Sequence, residues 1–474
     1  MTLERSAPAK LATGFALGVL AAAPSVYYLR GFTVDDALIA ARYATHLAHG
    51  FGYRFNLGGA ATDGVTPLGW PYLLAPFAAA GPVAALAASR AMGVVAWLVA
   101  AGALGAAIAH SSPARLRYAA LLLVVFSAPL GAWAVGGLET GVATALATFA
   151  AVLPPTASMA VLASALAGTS AWLRPEMIAW ASVVALGRAT GQSSPRARAL
   201  SCVVAIAPFF CAALVRALVW GRPAPLAVLA KPSDLAHGVR YVLGAIFFTG
   251  APLAALAPFA WRRLARWPRI VLLAALAHFV VVALAGGDWM ALARLLCPVL
   301  PSLVFVVAHL LAVAATASRW IALARLALGS LLEIVLFAKQ GPAAAGVLTA
   351  RLRLIEAARP ALADAEHIAT IDVGWVGAVT DAEVIDLAGA TDASIAALPG
   401  GHTSKAVSGA LLGERSADRL VFLLAPGATD EMPIYARIAE RRLAADALVA
   451  RSFRPTWTSP EELPIRYTVL APTR

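Results

Sequence analysis

The sequence predicts a polytopic α-helical membrane protein that carries a small soluble domain at its C-terminal end. Three observations support this fold class. Hydrophobic residues make up 61% of the chain and charged residues only 13%, whereas soluble domains carry about 25% charged residues. Apolar segments close to the roughly 20 residues that a bilayer requires follow one another as far as Gln340. From about Ala343 acidic residues become common. We therefore expect a transmembrane domain over residues 1–342 and a soluble domain over 343–474.

The first apolar span, from about Lys10 to Tyr28, is long enough to remain in the membrane as a helix. Because Arg5 and Lys10 precede it, the N-terminus is expected in the cytoplasm and the first loop, residues 30–66, outside. The segment 67–109 is rich in proline and is longer than one span needs. Counting it as one crossing gives eleven spans in all, with the residues after Gln340 outside. The ten later spans are expected near 67–109, 117–135, 139–153, 157–173, 175–188, 198–220, 239–260, 269–285, 291–317 and 319–339.

The net charge of +12 does not indicate a nucleic-acid-binding protein. The Lys and Arg residues are scattered in short loops between apolar runs, where the positive-inside rule places them, and no basic face or motif occurs. Cys202, Cys211 and Cys297 lie in apolar spans without metal-ligand spacing, which is typical of small apolar core residues.

The segment Thr33–Trp70 contains two adjacent carboxylates, Asp35 and Asp36. Thr33 is predicted to cap a helix that ends at His49, before Gly50 and Gly52, and that lies at the membrane surface. One carboxylate suffices for capping, so the pair favours a catalytic site, in which a carboxylate takes the proton of an acceptor hydroxyl. Helix capping alone is the other interpretation.

Further charged residues are expected to lie together on the outer side. Arginine binds phosphate through paired hydrogen bonds and lysine binds it as a point charge. Neutralisation of neighbouring acids and contact with the membrane interface are the alternatives for these cations. The phosphate-binding candidates are Arg42, Arg174, Lys231 and Arg294, and the other substrate-binding candidates are Glu139, Glu176, Asp288, His402 and Lys405.

The C-terminal region is predicted to be a small α/β or α+β domain. A helix is expected over 343–364 and another over 434–450. The three predicted strands are His367–Asp372, Arg419–Ala425 and Ile465–Ala471.

Short motifs occur in a set order along the chain. They are Asp35-Asp36-Ala-Leu-Ile-Ala-Ala-Arg42-Tyr43, Thr66-Pro67-Leu68-Gly-Trp70, Gly137-Leu-Glu139-Thr140, Leu173-Arg174-Pro175-Glu176, Lys231, Gly286-Gly-Asp288 with Arg294, Asp372-Val-Gly-Trp375, and Gly401-His402 with Lys405. In this order they resemble the motifs of GT-C membrane glycosyltransferases. The nearest branch is that of the terminal arabinofuranosyltransferases, which act on cell-wall arabinan.

The resemblance implies a GT-C fold, a polyprenyl-phosphate sugar donor and an outward-facing site. It also implies inverting transfer assisted by an aspartate of the first outer loop, which is Asp35 or Asp36 here. The acceptor would be an envelope glycan, lipid or protein, at the inner membrane of a bacterium. No organic cofactor is indicated, and the sequence leaves open whether a divalent cation joins the aspartates.

Two other function classes remain open. A transporter or lipid-linked-sugar flippase would explain many spans with few charges, although no inverted repeat is evident. A structural membrane scaffold is disfavoured by the clustered acidic and basic residues.

Overall fold

The computed structural model describes residues 7–110, 115–230, 233–248, 257–428 and 433–473. The chain forms two compact units. Unit 1 comprises Met1–Phe32, Ser89–Ala212 and Ser233–Ala345, and unit 2 comprises Thr33–Ala88, Ala213–Pro232 and Gly346–Arg474. Unit 2 thus combines the C-terminal region with the first loop segment, where the sequence had suggested a single division after residue 342.

Most of the described chain is helical. The longer helices are Ala7–Tyr28, Asp36–Ala48, Pro82–His110, Thr140–Val152, Ala157–Leu173, Ile178–Ala189, Pro195–Trp220, Leu235–Phe248, Arg266–Leu284, Leu300–Val313 and Thr316–Leu362. Shorter α-helices are Trp70–Leu74, Leu122–Val125, Ala128–Val135, Leu226–Leu229, Ala257–Ala260, Val373–Val379, Ala393–Ala396, Gly409–Glu414, Ile438–Ala445 and Ala447–Ser452. Short 3₁₀ segments are Ala75–Phe77, Arg115–Leu121, Pro175–Met177 and Cys297–Val299.

Five helices in the described ranges are long and apolar enough to cross a membrane, namely Ala7–Tyr28, Pro82–His110, Pro195–Trp220, Arg266–Leu284 and Thr316–Leu362. A sixth span results if Leu116–Val125 and Ala128–Val135, which are bent by 54°, cross together. Three more apolar helices are shorter: Thr140–Val152, Ala157–Leu173 and Cys297–Val313. The structure is compatible with a polytopic membrane protein. Within the described ranges fewer helices reach full length than the eleven spans expected, and the expected span 239–260 lies partly outside those ranges.

Two predicted boundaries differ from those in the structure. The span at 319–339 and the helix at 343–364 are one continuous helix of 47 residues, Thr316–Leu362. Pro342 removes one hydrogen bond from the helical ladder, but the helix is long enough on both sides to continue. At 67–109, the short helix Trp70–Leu74 and a turn at Gly81 (φ 100°) precede the long helix, which begins at Pro82. Proline is well suited to that first position, because its missing N–H has no helical partner there.

Small residues allow the helices Ala7–Tyr28 and Pro82–His110 to pack closely in unit 1. A Cβ atom added at Gly18 would lie 1.9 Å from the carbonyl oxygen of Ala101. One added at Gly105 would lie 2.1 Å from the carbonyl oxygen of Gly14. Such backbone contact is typical of membrane helix pairs, in which glycines four residues apart form the interface.

Unit 2 contains a five-stranded sheet in the order β2-β1-β3-β5-β4. The strands are β1 His367–Thr370, β2 Glu383–Asp386, β3 Arg419–Leu423, β4 Phe453–Thr458 and β5 Tyr467–Pro472. β1 pairs in parallel with β2 and β3, whereas β5 pairs antiparallel with β3 and β4. The structure confirms the three predicted strands as β1, β3 and β5, and it adds β2 and β4.

The predicted helix at 434–450 is divided in the structure. Helices Ile438–Ala445 and Ala447–Ser452 are separated by Asp446, which has extended backbone angles and accepts a hydrogen bond from the backbone N–H of Leu448. Asp446 therefore begins a new helix, because aspartate at this position satisfies a free N–H group of the first turn.

The helix of the first loop runs from Asp36 to Ala48. It begins three residues after Thr33, so Thr33 is not its capping residue as the sequence had suggested. Its predicted end is confirmed, because Gly50 and Gly52 adopt positive φ angles of 78° and 83°. Residues 37–44 are all buried, and the helix packs against Val373–Val379. It is therefore an interior helix of unit 2, and its position at the membrane surface stays a prediction.

Candidate functional site

The structure places the predicted site residues in two groups, one in each unit. Lys231 lies outside the described residues. Unit 1 holds Glu139, Arg174, Glu176, Asp288 and Arg294, and unit 2 holds Asp35, Asp36, Arg42, His402 and Lys405.

In unit 1, Arg174 lies between two carboxylates. Its Nη1 is 2.8 Å from Glu139 Oε1, and its Nε and Nη2 are 2.8 Å and 2.7 Å from Glu176 Oε1. Arg174 follows the helix Ala157–Leu173, and Glu139 precedes the helix Thr140–Val152. The guanidinium and Glu139 carboxylate are only 4% exposed. The contacts of Arg174 are therefore those expected of an arginine that neutralises nearby acidic side chains.

Asp288 and Arg294 form a second ion pair in unit 1. Arg294 donates from Nε to Asp288 Oδ2 at 2.7 Å and from Nη2 to Oδ1 at 3.2 Å. Leu292 and Ala293 adopt positive φ angles of 61° and 51°, which L-residues other than Gly, Asn and Asp seldom do. The strained turn brings Arg294 back to Asp288, and Trp133 Nε1 holds the turn by donating to the carbonyl oxygen of Leu292 at 2.8 Å. Such strain is concentrated at functional sites.

His278 connects the segments that carry these two ion pairs. Its Nδ1 is 3.1 Å from the carbonyl oxygen of Glu176 and its Nε2 is 2.8 Å from that of Leu295. Because both partners are acceptors, the neutral ring donates its single N–H to one of them at a time. No spacing pattern in the sequence indicates this histidine, since its partners lie 102 and 17 residues away.

In unit 2, Asp35 is held by backbone groups and an arginine. Its Oδ2 and Oδ1 accept hydrogen bonds from the N–H groups of Gly374 (2.8 Å) and Trp375 (2.9 Å). Arg351 Nη1 lies 3.3 Å from Oδ1. Burial raises the pKa of Asp35 to about 6, against the opposing charge of Arg351 and with the help of the Asp372 charge.

Asp372 is the charged partner in the same group. Arg437 Nη2 donates to both of its carboxylate oxygens, at 2.8 Å and 2.7 Å, and the Tyr467 hydroxyl donates to Oδ2 at 2.5 Å. Burial alone raises the pKa of Asp372, but Arg437 and Arg351 outweigh it, so the pKa lies below its usual value. Asp35 and Asp372 are therefore two neighbouring carboxyl groups with pKa values shifted in opposite directions. Such a divergence separates the roles of acid and base in enzymes.

Asp36 is the first residue of its helix and is partly exposed. Arg42, in contrast, is 1% exposed. It donates to the carbonyl oxygens of four residues at 2.8–3.0 Å, namely Phe55, Gly377, Thr380 and Ala382. Burial lowers its pKa to about 10. These contacts assign Arg42 a structural role in unit 2 and leave little of its guanidinium for a phosphate.

Lys405 is also largely committed to backbone groups. Its Nζ donates to the carbonyl oxygens of Ala396 (2.7 Å) and Leu398 (2.9 Å). It lines a cavity of about 440 Å³ that also includes Arg222 and apolar side chains such as Leu226. His402 is partly exposed in the same loop, which turns at Gly400 (φ 108°).

Among the residues that the structure describes, no group of three or more His, Cys, Asp or Glu side chains is arranged to hold a metal ion. Comparison of the sequence with protein-family models and with curated proteins gave no match.

Proposed function

We propose that the protein is an integral-membrane glycosyltransferase. It transfers a monosaccharide, a pentose such as arabinofuranose or a hexose, from a polyprenyl-phosphate donor. The acceptor is a hydroxyl group of an envelope glycan, lipid or protein outside the cytoplasm. The membrane part of the proposal rests on the long apolar helices. The chemistry rests on the Asp35–Asp36 pair and, above all, on the raised pKa of Asp35.

Asp35 is the proposed general base. A carboxylate with a pKa near the operating pH is suited to take a proton and to release it again. Its position is fixed by the N–H groups of Gly374 and Trp375. Asp36, which is partly exposed, orients the acceptor by accepting hydrogen bonds from its hydroxyl groups.

The proposed reaction is a single displacement. The proton of the acceptor hydroxyl passes to Asp35, and the hydroxyl oxygen forms a bond to the anomeric carbon. The bond between that carbon and the phosphate oxygen breaks, and polyprenyl phosphate leaves with the bonding electrons. Attack from the face opposite to the leaving group inverts the anomeric configuration.

Of the two buried arginines that the sequence suggests for phosphate binding, Arg174 and Arg294, the latter is the better candidate, because its side chain is 13% exposed and that of Arg174 only 4%. Arg174 then positions Glu139 and Glu176 and adds positive charge nearby. In this assignment a phosphate competes with Asp288 for the guanidinium of Arg294, as two anions share one cation.

The test is sugar transfer by the purified protein in lipid nanodiscs. Radiolabelled polyprenyl-phosphate pentoses and hexoses are offered with an extract of envelope acceptors. Wild type is compared with Asp35→Asn, Asp36→Asn and the control Asp364→Asn, whose side chain is 76% exposed. We expect Asp35→Asn to lower the rate by about 10²–10⁴-fold, the usual contribution of a general base, while the control retains full activity.

Two outcomes contradict the proposal. Full activity in both Asp35→Asn and Asp36→Asn removes the assigned base. Movement of the lipid-linked sugar between leaflets without any transfer by wild type identifies a flippase instead.

A further inference from the structure

Glu333 is a buried carboxyl group within the apolar helix Thr316–Leu362. Its residue is 7% exposed, and its one hydrogen bond is long, at 3.5 Å from the backbone N–H of Ala128 to Oε2. Within the described ranges no cationic side chain faces it. Ionisable residues inside membrane helices are costly and mark substrate or ion sites by default. The role of Glu333 is not explained by the ion pairs described above.

Glu333 lines a cavity of about 350 Å³ in unit 1. Its walls are mostly apolar, with Pro129, Leu292 and Leu336 among them, and its polar side chains include Glu333, Gln340 and Tyr241. Ligand sites of about 300–1,000 Å³ commonly combine apolar walls with a few polar groups that fix the orientation of the ligand. The cavity has the size and the lining of such a site.

The cavity adjoins the segment that carries Arg294. Residues 290–293 line it, and Arg294 is the next residue along the chain. The Tyr241 hydroxyl, on another wall, accepts a hydrogen bond from the N–H of Leu295 at 3.1 Å. The cavity therefore lies beside the turn that leads to Arg294.

The chemistry of the lining defines what the occupant must supply. The carboxyl group of Glu333 and the amide of Gln340 can both take part in hydrogen bonds, the amide as donor and acceptor. The backbone N–H of Ala128, at the start of the helix Ala128–Val135, is directed at Glu333 Oε2. The occupant must therefore offer several hydrogen-bonding groups and also present faces without charge to the apolar walls. A sugar ring has both properties.

We infer that this cavity binds the sugar of the lipid-linked donor, with the Glu333 carboxyl group hydrogen-bonded to sugar hydroxyl groups. The identity of the donor rests on the proposed function, whereas the cavity and its carboxyl group do not. The loss of the partner of a buried hydrogen-bonding group changes affinity by about 10- to 100-fold. Glu333 is thus a residue that determines donor specificity rather than the rate of the chemical step.

The test measures equilibrium binding to the full-length protein in nanodiscs. The probes are radiolabelled farnesyl phosphate and farnesyl phosphates that carry a pentose or a hexose. Wild type is compared with Glu333→Gln, Glu333→Leu and the control Glu356→Gln, an exposed glutamate of the same helix. Thermal unfolding of each variant establishes that it is folded. If Glu333→Leu does not fold, the conclusion is drawn from the isosteric variant Glu333→Gln.

We expect wild type to bind at least one sugar-bearing probe about 10- to 100-fold more tightly than farnesyl phosphate. Replacement of Glu333 is expected to remove most of that preference and to leave the affinity for farnesyl phosphate unchanged. The control variant Glu356→Gln is expected to bind every probe as wild type does. An unaltered preference in the Glu333 variants overturns the inference, as does the absence of any preference in wild type.

Binding and transfer fail separately. Transfer by wild type together with a sugar preference independent of Glu333 refutes this inference and leaves the proposed function intact. A preference that depends on Glu333 without transfer from any donor refutes the proposed function alone.

Discussion

Replacement of Arg42 by methionine distinguishes a structural arginine from a phosphate-binding one. Methionine retains the apolar stem of the side chain and removes the guanidinium. Four carbonyl oxygens then lose their donor, those of Phe55, Gly377, Thr380 and Ala382. They belong to two stretches of unit 2 that are far apart in sequence, so Arg42 joins the first loop to the segment before β2.

The size of the effect follows from these hydrogen bonds. Each buried acceptor without a partner costs about 1–3 kcal/mol. The effects are not additive, because water reaches carbonyl groups at the partly buried end, so we expect a total of about 3–5 kcal/mol. For domains of about 150–250 residues, each kcal/mol lowers the Tm by about 2–4 °C, which gives a decrease of about 6–20 °C.

The assay is thermal unfolding of the whole protein in detergent, followed by tryptophan fluorescence. Unit 2 contains the buried Trp375, which reports on this region. It belongs to the helix Val373–Val379, which packs against the helix that carries Arg42. The control is Arg451→Met, which removes an exposed arginine of the same unit and is expected to leave the Tm within about 1 °C, as surface substitutions usually do. If Arg42→Met leaves the Tm unchanged and weakens only the binding of a phosphate-bearing donor, the structural assignment is wrong.

Four further predictions concern other parts of the molecule. Arg174→Met leaves Glu139 and Glu176 as buried carboxylates without their cation, so we expect a loss of roughly 3–5 kcal/mol in unfolding free energy, measured by chemical denaturation. The transfer rate is expected to rise with pH through a midpoint near 6, where Asp35 loses its proton, and a profile that is flat between pH 5 and 7 contradicts this base. Because the folded pKa of Asp35, about 6, lies above its ordinary value of 3.8, the stabilisation from this group is complete below 3.8 and is lost as the pH rises to about 6; Asp35→Asn is expected to remove that part of the pH dependence of the Tm. Gly18→Leu places a side chain against the carbonyl oxygen of Ala101, so a marked decrease in Tm or in folded yield is expected, whereas an unchanged Tm contradicts the close packing of these helices.

Much of the fold was predictable from local patterns. Long apolar runs identify helices regardless of their partners, and β1, β3 and β5 are runs of β-branched and apolar residues. β4 could not be recognised in this way, because its sequence Phe-Arg-Pro-Thr-Trp-Thr contains a proline and none of its residues is buried. Its identity as a strand depends on pairing with β5, which is a tertiary interaction.

The position of the Asp36–Ala48 helix shows a second limit of sequence patterns. The sequence predicts a helix at the membrane surface, with Arg42 as a candidate for binding phosphate. In the structure, Arg42 and Tyr43 are buried and bonded, Tyr43 through its hydroxyl and Thr62. Buried arginines of this kind look like surface residues in a sequence, since their partners are backbone carbonyl groups that carry no sequence signal.

The candidate site was predictable only in part, for a similar reason. The glycine-flanked loops indicated Glu139 and Asp288, and the structure brings each of them to an arginine of unit 1. For Asp35, the sequence indicated the carboxylate but not the groups that set its pKa. Arg351, whose charge opposes the effect of burial, lies more than 300 residues along the chain from Asp35. No local pattern connects such distant residues.

The charges of unit 1 argue for function rather than for stability. The chain has only 25 acidic residues, yet three of them, Glu139, Glu176 and Asp288, share two arginines in a largely buried cluster. Buried ion pairs contribute little net stability, because removing both charges from water offsets their attraction. An apolar cluster of the same volume would hold these helices together equally well. The ion pairs are explained if an anionic ligand takes the place of one of the carboxylates on an arginine. Asp288 is the carboxylate that an incoming phosphate would displace, because its partner, Arg294, is the more exposed of the two arginines.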